Sequence, residues 1–177
     1  MRIVSGKYGG RRLHPPSNLP VRPTTDLAKE SLFNILNNII SFEGISVLDL
    51  FAGTGSISFE FISRGCSDAI AIDMDGRCIT FIVKTCQEFN IENMRAYKTD
   101  AFSFIKRSSK KFDLVFADPP YDLKAIKDIP DKIFECELLN SGGLLILEHP
   151  GNYDFSKHPK FDQHRNYGKV NFSFFKA

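Results

Sequence analysis

Four aspartates lie at or just after apolar runs that have the pattern of β-strands, and their carboxylates are well suited to ligand chemistry. They are Asp49, Asp73, Asp100 and Asp118. The carboxyl ends of parallel strands meet in one crevice of an open sheet, and ligands bind in that crevice. A single aspartate in such a place often only caps a helix or ends a strand. Four in succession predict a polar ligand site at this edge of the sheet.

The first of these strands leads into the loop Gly53-Thr54-Gly55, which opens a helix. Glycine has no Cβ atom and tolerates positive φ, so a ligand can lie directly against the backbone of such a loop. Asp73 follows Gly55 by 18 residues, a spacing that suits a carboxylate accepting hydrogen bonds from a ribose. The loop and Asp73 together predict a cofactor that contains adenosine, whereas the loop alone would be an ordinary turn between a strand and a helix.

Two features favour S-adenosylmethionine over a nicotinamide dinucleotide. Ser58 occupies the third small position of the glycine pattern, which makes the dinucleotide fingerprint imperfect. Asp49 directly precedes the loop, where it would repel a diphosphate and attract the amino group of a methionine moiety. A nicotinamide-dependent oxidoreductase is therefore the disfavoured alternative.

A second motif follows the fourth apolar strand and consists of Asp118, Pro119, Pro120 and Tyr121. The two prolines stiffen the turn and carry no N–H groups, so the Asp118 carboxylate and the Pro119 carbonyl can accept both hydrogens of one exocyclic amine. Tyr121 offers a ring for an extruded base to stack on, an interaction of about 1–3 kcal/mol. The motif predicts methylation of a nucleobase amine, and the alternative is a stiff turn with a core tyrosine.

Alternating strand and helix patterns position these residues. They predict an α/β fold with a doubly wound, mostly parallel seven-stranded sheet and a C-terminal antiparallel hairpin. Strands are expected at 46–50, 68–73, 94–98, 112–117, 144–148, 160–166 and 170–175, with Gly142 and Gly143 opening the fifth. Helices are expected at 26–41, 56–64, 75–89, 101–107 and within 123–138. The apolar face of the first helix is expected to include Leu27 and Ile39.

The charge is distributed unevenly along the 177 residues, although the net charge is only +2. Residues 1–25, predicted as a β-hairpin and a linker before the domain at 26–177, contain no acid. They carry the basic side chains Arg2, Lys7, Arg11, Arg12 and Arg22. Such an arm predicts contact with a polyanion, and the alternative is a solvated end. Neither a membrane span nor a metal-ligand pattern is present, so we expect a cytoplasmic, metal-free protein.

Three blocks of the sequence resemble the RsmD family of ribosomal RNA methyltransferases. They are residues 2–13, then 22–26 with 30–34, then 49–55 with 118–121. The last block is shared by many enzymes that methylate amines, and the first two narrow the match to this family. The resemblance implies a Rossmann-like class I methyltransferase that uses S-adenosylmethionine to methylate N2 of one guanine, guanine 966, in 16S ribosomal RNA.

The resemblance also implies roles for individual residues. The cofactor would be bound by Asp49, Phe51, Gly53, Gly55, Asp73, Met74, Asp100, Ala101, Phe102 and Thr25. Within that set, Asp73 would bind the ribose hydroxyls and Asp100 the adenine amino group. Asp118, Pro119, Pro120 and Tyr121 would be catalytic and hold a guanine flipped out of its stack, while the basic arm would hold RNA. The expected partner is 16S ribosomal RNA within a small-subunit assembly particle, and the expected state is a monomer.

Two other functions fit parts of the pattern. A DNA adenine-N6 or cytosine-N4 methyltransferase would use the same chemistry at Asp118, but we expect such an enzyme to need a separate base-recognition domain. A catalytically silent RNA-binding factor for ribosome assembly would retain the fold, and the intact set of strand-end carboxylates argues against it.

Overall fold

A seven-stranded sheet forms the centre of the computed structural model, which describes residues 1–19 and 26–177. The strands are β1 (Ser46–Asp49), β2 (Asp68–Asp73), β3 (Met94–Lys98), β4 (Phe112–Ala117), β5 (Leu139–His149), β6 (Phe161–Tyr167) and β7 (Val170–Lys176). They lie in the order β3-β2-β1-β4-β5-β7-β6. The first five strands run parallel, and β7 pairs antiparallel with both β5 and β6. The predicted doubly wound sheet with a C-terminal antiparallel hairpin is confirmed.

Helices cover both faces of this sheet. Helices α1 (Asp26–Leu36), α2 (Ser56–Ser63) and α3 (Gly76–Phe89) pack on one face. Helices α4 (Ala101–Arg107) and α5 (Ile129–Glu135), with a short 3-10 turn at Ile126–Asp128, pack on the other. Strand β4 is buried on both sides, which explains its largely apolar sequence. None of the helices in the described ranges is long and apolar enough to cross a membrane.

Helix α1 is shorter than the apolar pattern predicted. It ends at Leu36, and residues 37–39 form turns with bonds such as Asn38 N–H to the Ile35 carbonyl at 3.0 Å. Asparagine and β-branched isoleucine are poor helix formers, which accounts for the early end. Leu27 and Ile39, predicted on the buried face, are 75% and 41% exposed.

Strand β5 begins five residues earlier than predicted. Gly142 and Gly143 do not open the strand but lie within it, at an irregularity in the pairing between β4 and β5. Gly142 has φ 74°, and a Cβ atom on Gly143 would lie 2.8 Å from the Asn140 carbonyl oxygen. The glycines thus allow a kink inside a strand that runs on to His149.

The basic segment at the N-terminus folds back on itself and packs against the domain. One antiparallel bridge joins Arg2 and Arg12, and the Ile3 N–H donates to the Arg11 carbonyl at 2.9 Å. Ile3, Tyr8 and Leu13 are buried in the core cluster shared with α1 and α2. The predicted hairpin is therefore present in outline, held by tertiary packing more than by its own pairing.

A buried charge cluster attaches this segment to α2. Glu60 is fully buried and accepts hydrogen bonds from the backbone N–H groups of Val4 (2.7 Å) and Ser5 (3.1 Å) and from Arg64 Nε (2.8 Å). Lys29, equally buried, donates to the Arg2 carbonyl, and its Nζ lies 3.9 Å from Glu60. Burial lowers the pKa of Lys29, while Glu60 opposes that shift. The paired charges make this docking specific, since removing Glu60 would leave the buried Lys29 without the carboxylate that lies nearest to it.

Candidate active site

Three carboxyl side chains share one face of the sheet at the carboxyl ends of β1, β4 and β5. Side chains two residues apart point to the same face of a strand, and Val47, Phe116 and Ile146 all lie in the core under α1, α2 and α3. Asp49, Asp118 and Glu148 come two residues after them, at the same edge. Ala117 pairs with Leu147, so the next residues, Asp118 and Glu148, are neighbours.

Asp49 is the deepest of these carboxyl groups, with 1% of its surface exposed. Its Oδ2 accepts a hydrogen bond from the Ser58 hydroxyl at 2.6 Å. Its Oδ1 is buried and has no hydrogen-bond partner within residues 1–19 and 26–177. Burial raises the pKa of Asp49 to about 7, and the negative charges of Asp118 and Asp73 add to that shift, whereas the bond from Ser58 opposes it. A buried acceptor without a partner, held ready for a cation, fits the amino group of a methionine moiety.

The glycine loop has the backbone geometry that the sequence predicted. Gly53 and Gly55 have φ angles of 53° and 73°. A Cβ atom on Gly55 would lie 2.9 Å from Ile82 and 3.1 Å from Phe59, so only glycine fits without displacing its neighbours. The Gly53 N–H donates to Asp73 Oδ2 at 2.8 Å, which ties the loop to the end of β2.

The residues predicted for the adenosine end of a cofactor lie at the ends of β2 and β3. Asp73 accepts the Gly53 bond and, through Oδ1, a second bond from the Asp75 N–H at 2.8 Å. Each carboxylate oxygen has two lone pairs, so these bonds leave room for ribose hydroxyls. The Thr99 N–H donates to the Asp73 carbonyl at 3.0 Å, and Asp100 caps α4 through the Ser103 N–H at 2.8 Å.

The remaining predicted cofactor residues differ in exposure. Met74 is 69% exposed, Ala101 is buried, and Phe51 and Phe102 are partly buried beside the core under α4 and α5. Met74 can therefore cover a ligand without first leaving a packed position. Thr25, also predicted to touch the cofactor, lies outside the described residues.

The Asp-Pro-Pro-Tyr turn follows β4 directly and lies against β5. Pro119 is buried, Pro120 is exposed, and the Leu123 N–H closes the turn on the Pro120 carbonyl at 2.9 Å. Tyr121 is 47% exposed and donates its hydroxyl to Glu148 Oε1 at 3.2 Å. Burial and the neighbouring Glu148 raise the pKa of Asp118 well above its usual range.

Glu148 belongs to this site although the sequence-based set did not include it. It is 6% exposed, and burial raises its pKa to about 7 while the Tyr121 hydroxyl opposes that shift. The signal was present in the sequence, because Glu148 ends an apolar run just as Asp49 and Asp118 do. The fifth strand was predicted correctly in that region, but its terminal acid was counted as part of the strand.

Four of the five predicted RNA-binding side chains belong to the described N-terminal segment. Arg2 pairs with Glu30 at 3.3 Å, and Lys7 lies over the Tyr8 ring at 5.3 Å. Arg11 lies 4.7 Å from the Phe89 ring centroid on α3. Arg22 lies outside the described residues.

Arg12 lines a groove of about 1020 Å³ between residues 12–19 and α3. Lys84, Glu88 and Lys98 also line the groove, as do Asp75 and Gly76, which follow Asp73 in the chain. The groove therefore connects the basic segment with the neighbourhood of the predicted cofactor site.

Known proteins share both the sequence and the fold. A family model described as conserved hypothetical protein 95 matches residues 1–176. Ribosomal RNA small subunit methyltransferase D of Escherichia coli K12 is 35% identical over 148 residues, which are 84% of this chain and 74% of that protein. The solved structure of yhhF from Escherichia coli superposes with a TM-score of 0.87 at 26% identity, covering 100% of this chain and 97% of that one.

A more distant solved structure shares the fold alone. It is the Thermus thermophilus 16S rRNA N2 G1207 methyltransferase RsmC in complex with AdoMet and guanosine, with a TM-score of 0.70 and 18% identity over 87% of this chain and 44% of that one. The match of the family model over nearly the whole chain and the identity to the Escherichia coli protein lead to one assignment. The chain belongs to the RsmD family of ribosomal RNA small subunit methyltransferases.

Proposed function

We propose that this protein transfers a methyl group from S-adenosylmethionine to the exocyclic N2 amine of a guanine in 16S ribosomal RNA. The observation that carries the proposal is the position of Asp118 and its two prolines beside Asp49 and the glycine loop, at one edge of one sheet. Two hydrogen-bond acceptors for one amine thus lie next to a pocket suited to a cationic, adenosine-containing cofactor. The family membership supports ribosomal RNA as the substrate.

The residues present fit S-adenosylmethionine. Asp49 Oδ1, buried and unpartnered in the described part of the chain, would accept from the methionine amino group. The loop at Gly53 and Gly55 would lie against the cofactor, and Asp73 would accept the ribose hydroxyls. When bound, the cofactor supplies a methyl group attached to a positively charged sulfur.

The protein's contribution to the reaction is mainly positioning and electrostatics. Asp118 and the Pro119 carbonyl hold the two hydrogens of the guanine amine, which localises the nitrogen lone pair toward the methyl group. Tyr121, half exposed beside them, stacks on the flipped base. The negative charge of Asp118 stabilises the positive charge that develops on the amine during transfer.

The basic segment extends the site toward RNA. Lys7, Arg11 and Arg12 are exposed, and the groove that Arg12 lines continues toward α3. Phosphate contacts of this kind would position the RNA without reading its sequence. We further propose that the protein acts as a cytoplasmic monomer on a small-subunit assembly particle, where ribosomal proteins help to present the guanine.

Tritiated S-adenosylmethionine tests the reaction and the substrate class together. The protein would be incubated in parallel with small-subunit particles, free 16S ribosomal RNA and duplex DNA, and the labelled nucleoside would be identified after digestion. We expect label in N2-methylguanosine from RNA or particles, and primer extension would map the position. Label in DNA adenine or cytosine would contradict the proposed substrate, and no label despite cofactor binding would favour a silent assembly factor.

A further inference from the structure

Glu148 has no role in the chemistry described so far, although it lies within the site. It follows Leu147, which pairs with Ala117, so its side chain lies beside that of Asp118 on the same face of the sheet. Its Oε1 accepts the Tyr121 hydroxyl at 3.2 Å. Its Oε2 is buried and finds no hydrogen-bond donor in residues 1–19 or 26–177. An acceptor held in place by one oxygen and left open at the other is ready for a donor from outside the protein.

Guanine supplies such a donor next to the amine that reacts. Its N1–H and one N2–H lie side by side and parallel on the Watson–Crick edge. If Asp118 accepts the N2 hydrogen, an acceptor beside Asp118 faces N1–H. Adenine and cytosine have a lone pair next to their exocyclic amine, and that lone pair would face the same acceptor and be repelled. A site whose buried polar groups need a substrate N–H rejects substrates that lack it.

We propose that Glu148 selects guanine by accepting the N1–H hydrogen bond at Oε2 while Tyr121 holds Oε1 in position. The inference rests on guanine-N2 methylation as the proposed function. It explains why an acid ends β5 beside the Asp-Pro-Pro-Tyr turn, a turn that by itself suits amines on several bases. Asp118 and the Pro119 carbonyl then activate the amine, and Glu148 determines which base can place an amine there.

A modified RNA tests this assignment. The guanine mapped by the methylation experiment is replaced with 2-aminopurine, which keeps the amine at C2 but has a lone pair at N1. The wild-type protein is expected to methylate it with a kcat/KM about 100-fold below that for guanine. This comparison needs no variant, and equal kcat/KM values for the two bases would overturn the inference.

The Glu148→Gln variant then assigns the discrimination to this residue. Its amide can turn an N–H toward the N1 lone pair, so we expect the preference for guanine over 2-aminopurine to fall about tenfold or more. 2-Aminopurine also lacks O6, but this loss affects the wild-type protein and the Glu148→Gln variant alike, so it cancels when their preferences for guanine are compared. Unchanged discrimination in Glu148→Gln would overturn the inference.

The Tyr121→Phe variant is the matched control. It removes the hydroxyl that orients Glu148 but keeps the carboxyl group, so the preference for guanine is expected to fall less than in Glu148→Gln, and an equal fall in both variants would overturn the assignment to the carboxyl group. Cofactor affinity, measured by calorimetry, shows that each variant is folded around an intact cofactor site. If the wild-type protein forms no N2-methylguanosine at all, the proposed function itself fails and the inference fails with it.

Discussion

Asp118 is the residue whose loss should affect the reaction most. It is expected to hold and polarise the amine without touching the cofactor, so Asp118→Ala should lower single-turnover rates by about 10²–10³-fold, as for other preorganised groups that act on a reacting atom. The affinity for S-adenosylmethionine, measured by calorimetry, should stay within about threefold because the binding residues remain. Asp122→Ala, in the same turn but exposed, is the control and should leave both values unchanged. Near-normal turnover of Asp118→Ala would contradict its proposed role.

Asp49 makes the stability of the cofactor-free protein depend on pH. Burial raises its pKa from 3.8 to about 7, so the folded state holds a proton that the unfolded chain releases between pH 4 and 7. Its contribution to stability is complete below about pH 4 and is lost as the pH rises through about 7. The raised pKa values of Asp118 and Glu148 act in the same direction.

Urea unfolding between pH 5 and pH 8 measures this dependence. We expect the free energy of unfolding to fall over that range, and Asp49 alone to account for about 2–3 kcal/mol of the fall, at about 1.4 kcal/mol per pKa unit. Asp49→Asn should flatten the profile, whereas Asp122→Asn should follow the wild-type curve because its side chain is exposed. A profile for Asp49→Asn that matches the wild-type slope would refute the assignment of this proton to Asp49.

Local residue types allowed much of this site to be predicted, but not all of it. Asp49, Asp73 and Asp118 were identified because strand ends at one edge of a parallel sheet converge, and their convergence follows from topology alone. Glu148 carries the same local signal, but what distinguishes it from an ordinary strand residue is its contact with Tyr121 and the register between β4 and β5, neither of which is local in sequence. Glu60 and Lys29 escaped for a related reason, since their contacts with the N-terminal segment join residues 27 to 56 positions apart.

At the scale of elements, the docking of the N-terminal segment on α2 depends on one glycine. Gly6 has φ 81°, and a Cβ atom there would lie 1.8 Å from the Ser63 carbonyl oxygen. The Lys7 N–H donates to that same oxygen at 2.7 Å, so the two backbones are in direct contact. Gly10 has a similar φ of 83° but open space around it. Substitutions at the two positions therefore distinguish the cost of a left-handed backbone from the cost of a packing clash.

Alanine substitutions at these glycines test the docking. Gly10→Ala should cost about 1–2 kcal/mol from left-handed backbone alone, and Gly6→Ala should cost about 1–3 kcal/mol more because the segment must move away from α2. Urea unfolding gives both values, and hydrogen exchange at Ile3 and Lys7 should rise only in Gly6→Ala. Equal losses in the two variants would show that the contact with Ser63 contributes nothing.

Elements with a strong periodic pattern were predicted well, and those stabilised by distant contacts were not. Strand β4 and helix α3 were predicted nearly to the residue, since one is buried on both faces and the other ends at an asparagine in the left-handed region. Helix α1 ends at Leu36 because the asparagines and isoleucines that follow are poor helix formers, although Ile40 still packs against the core. The kink at Gly142 and Gly143 was taken for a strand start, since a glycine pair marks either feature.

At the scale of the whole molecule, the fold separates acidic and basic side chains into two regions. The carboxyl ends of the strands collect acid at the crevice, while the N-terminal segment and the adjoining groove present Lys7, Arg11 and Arg12. A net charge of +2 alone would not direct a polyanion to one part of the protein surface rather than another. We therefore expect the uneven distribution to determine where RNA contacts the protein.

Neutralising Arg11 and Arg12 together tests whether that surface holds RNA. Each phosphate contact on single-stranded RNA adds about 0.7 to the slope of log affinity against log salt, so losing two should flatten the slope by about 1.4. Fluorescence anisotropy with a labelled 16S fragment at 50–300 mM salt, about a sixfold range, measures it. The matched control neutralises Lys106 and Arg107, which are exposed at the end of α4 on the opposite face of the sheet. The control should keep the wild-type slope. If the Arg11 and Arg12 double variant also keeps it, the N-terminal segment stabilises the fold through Glu60 and Gly6 and takes no part in binding RNA.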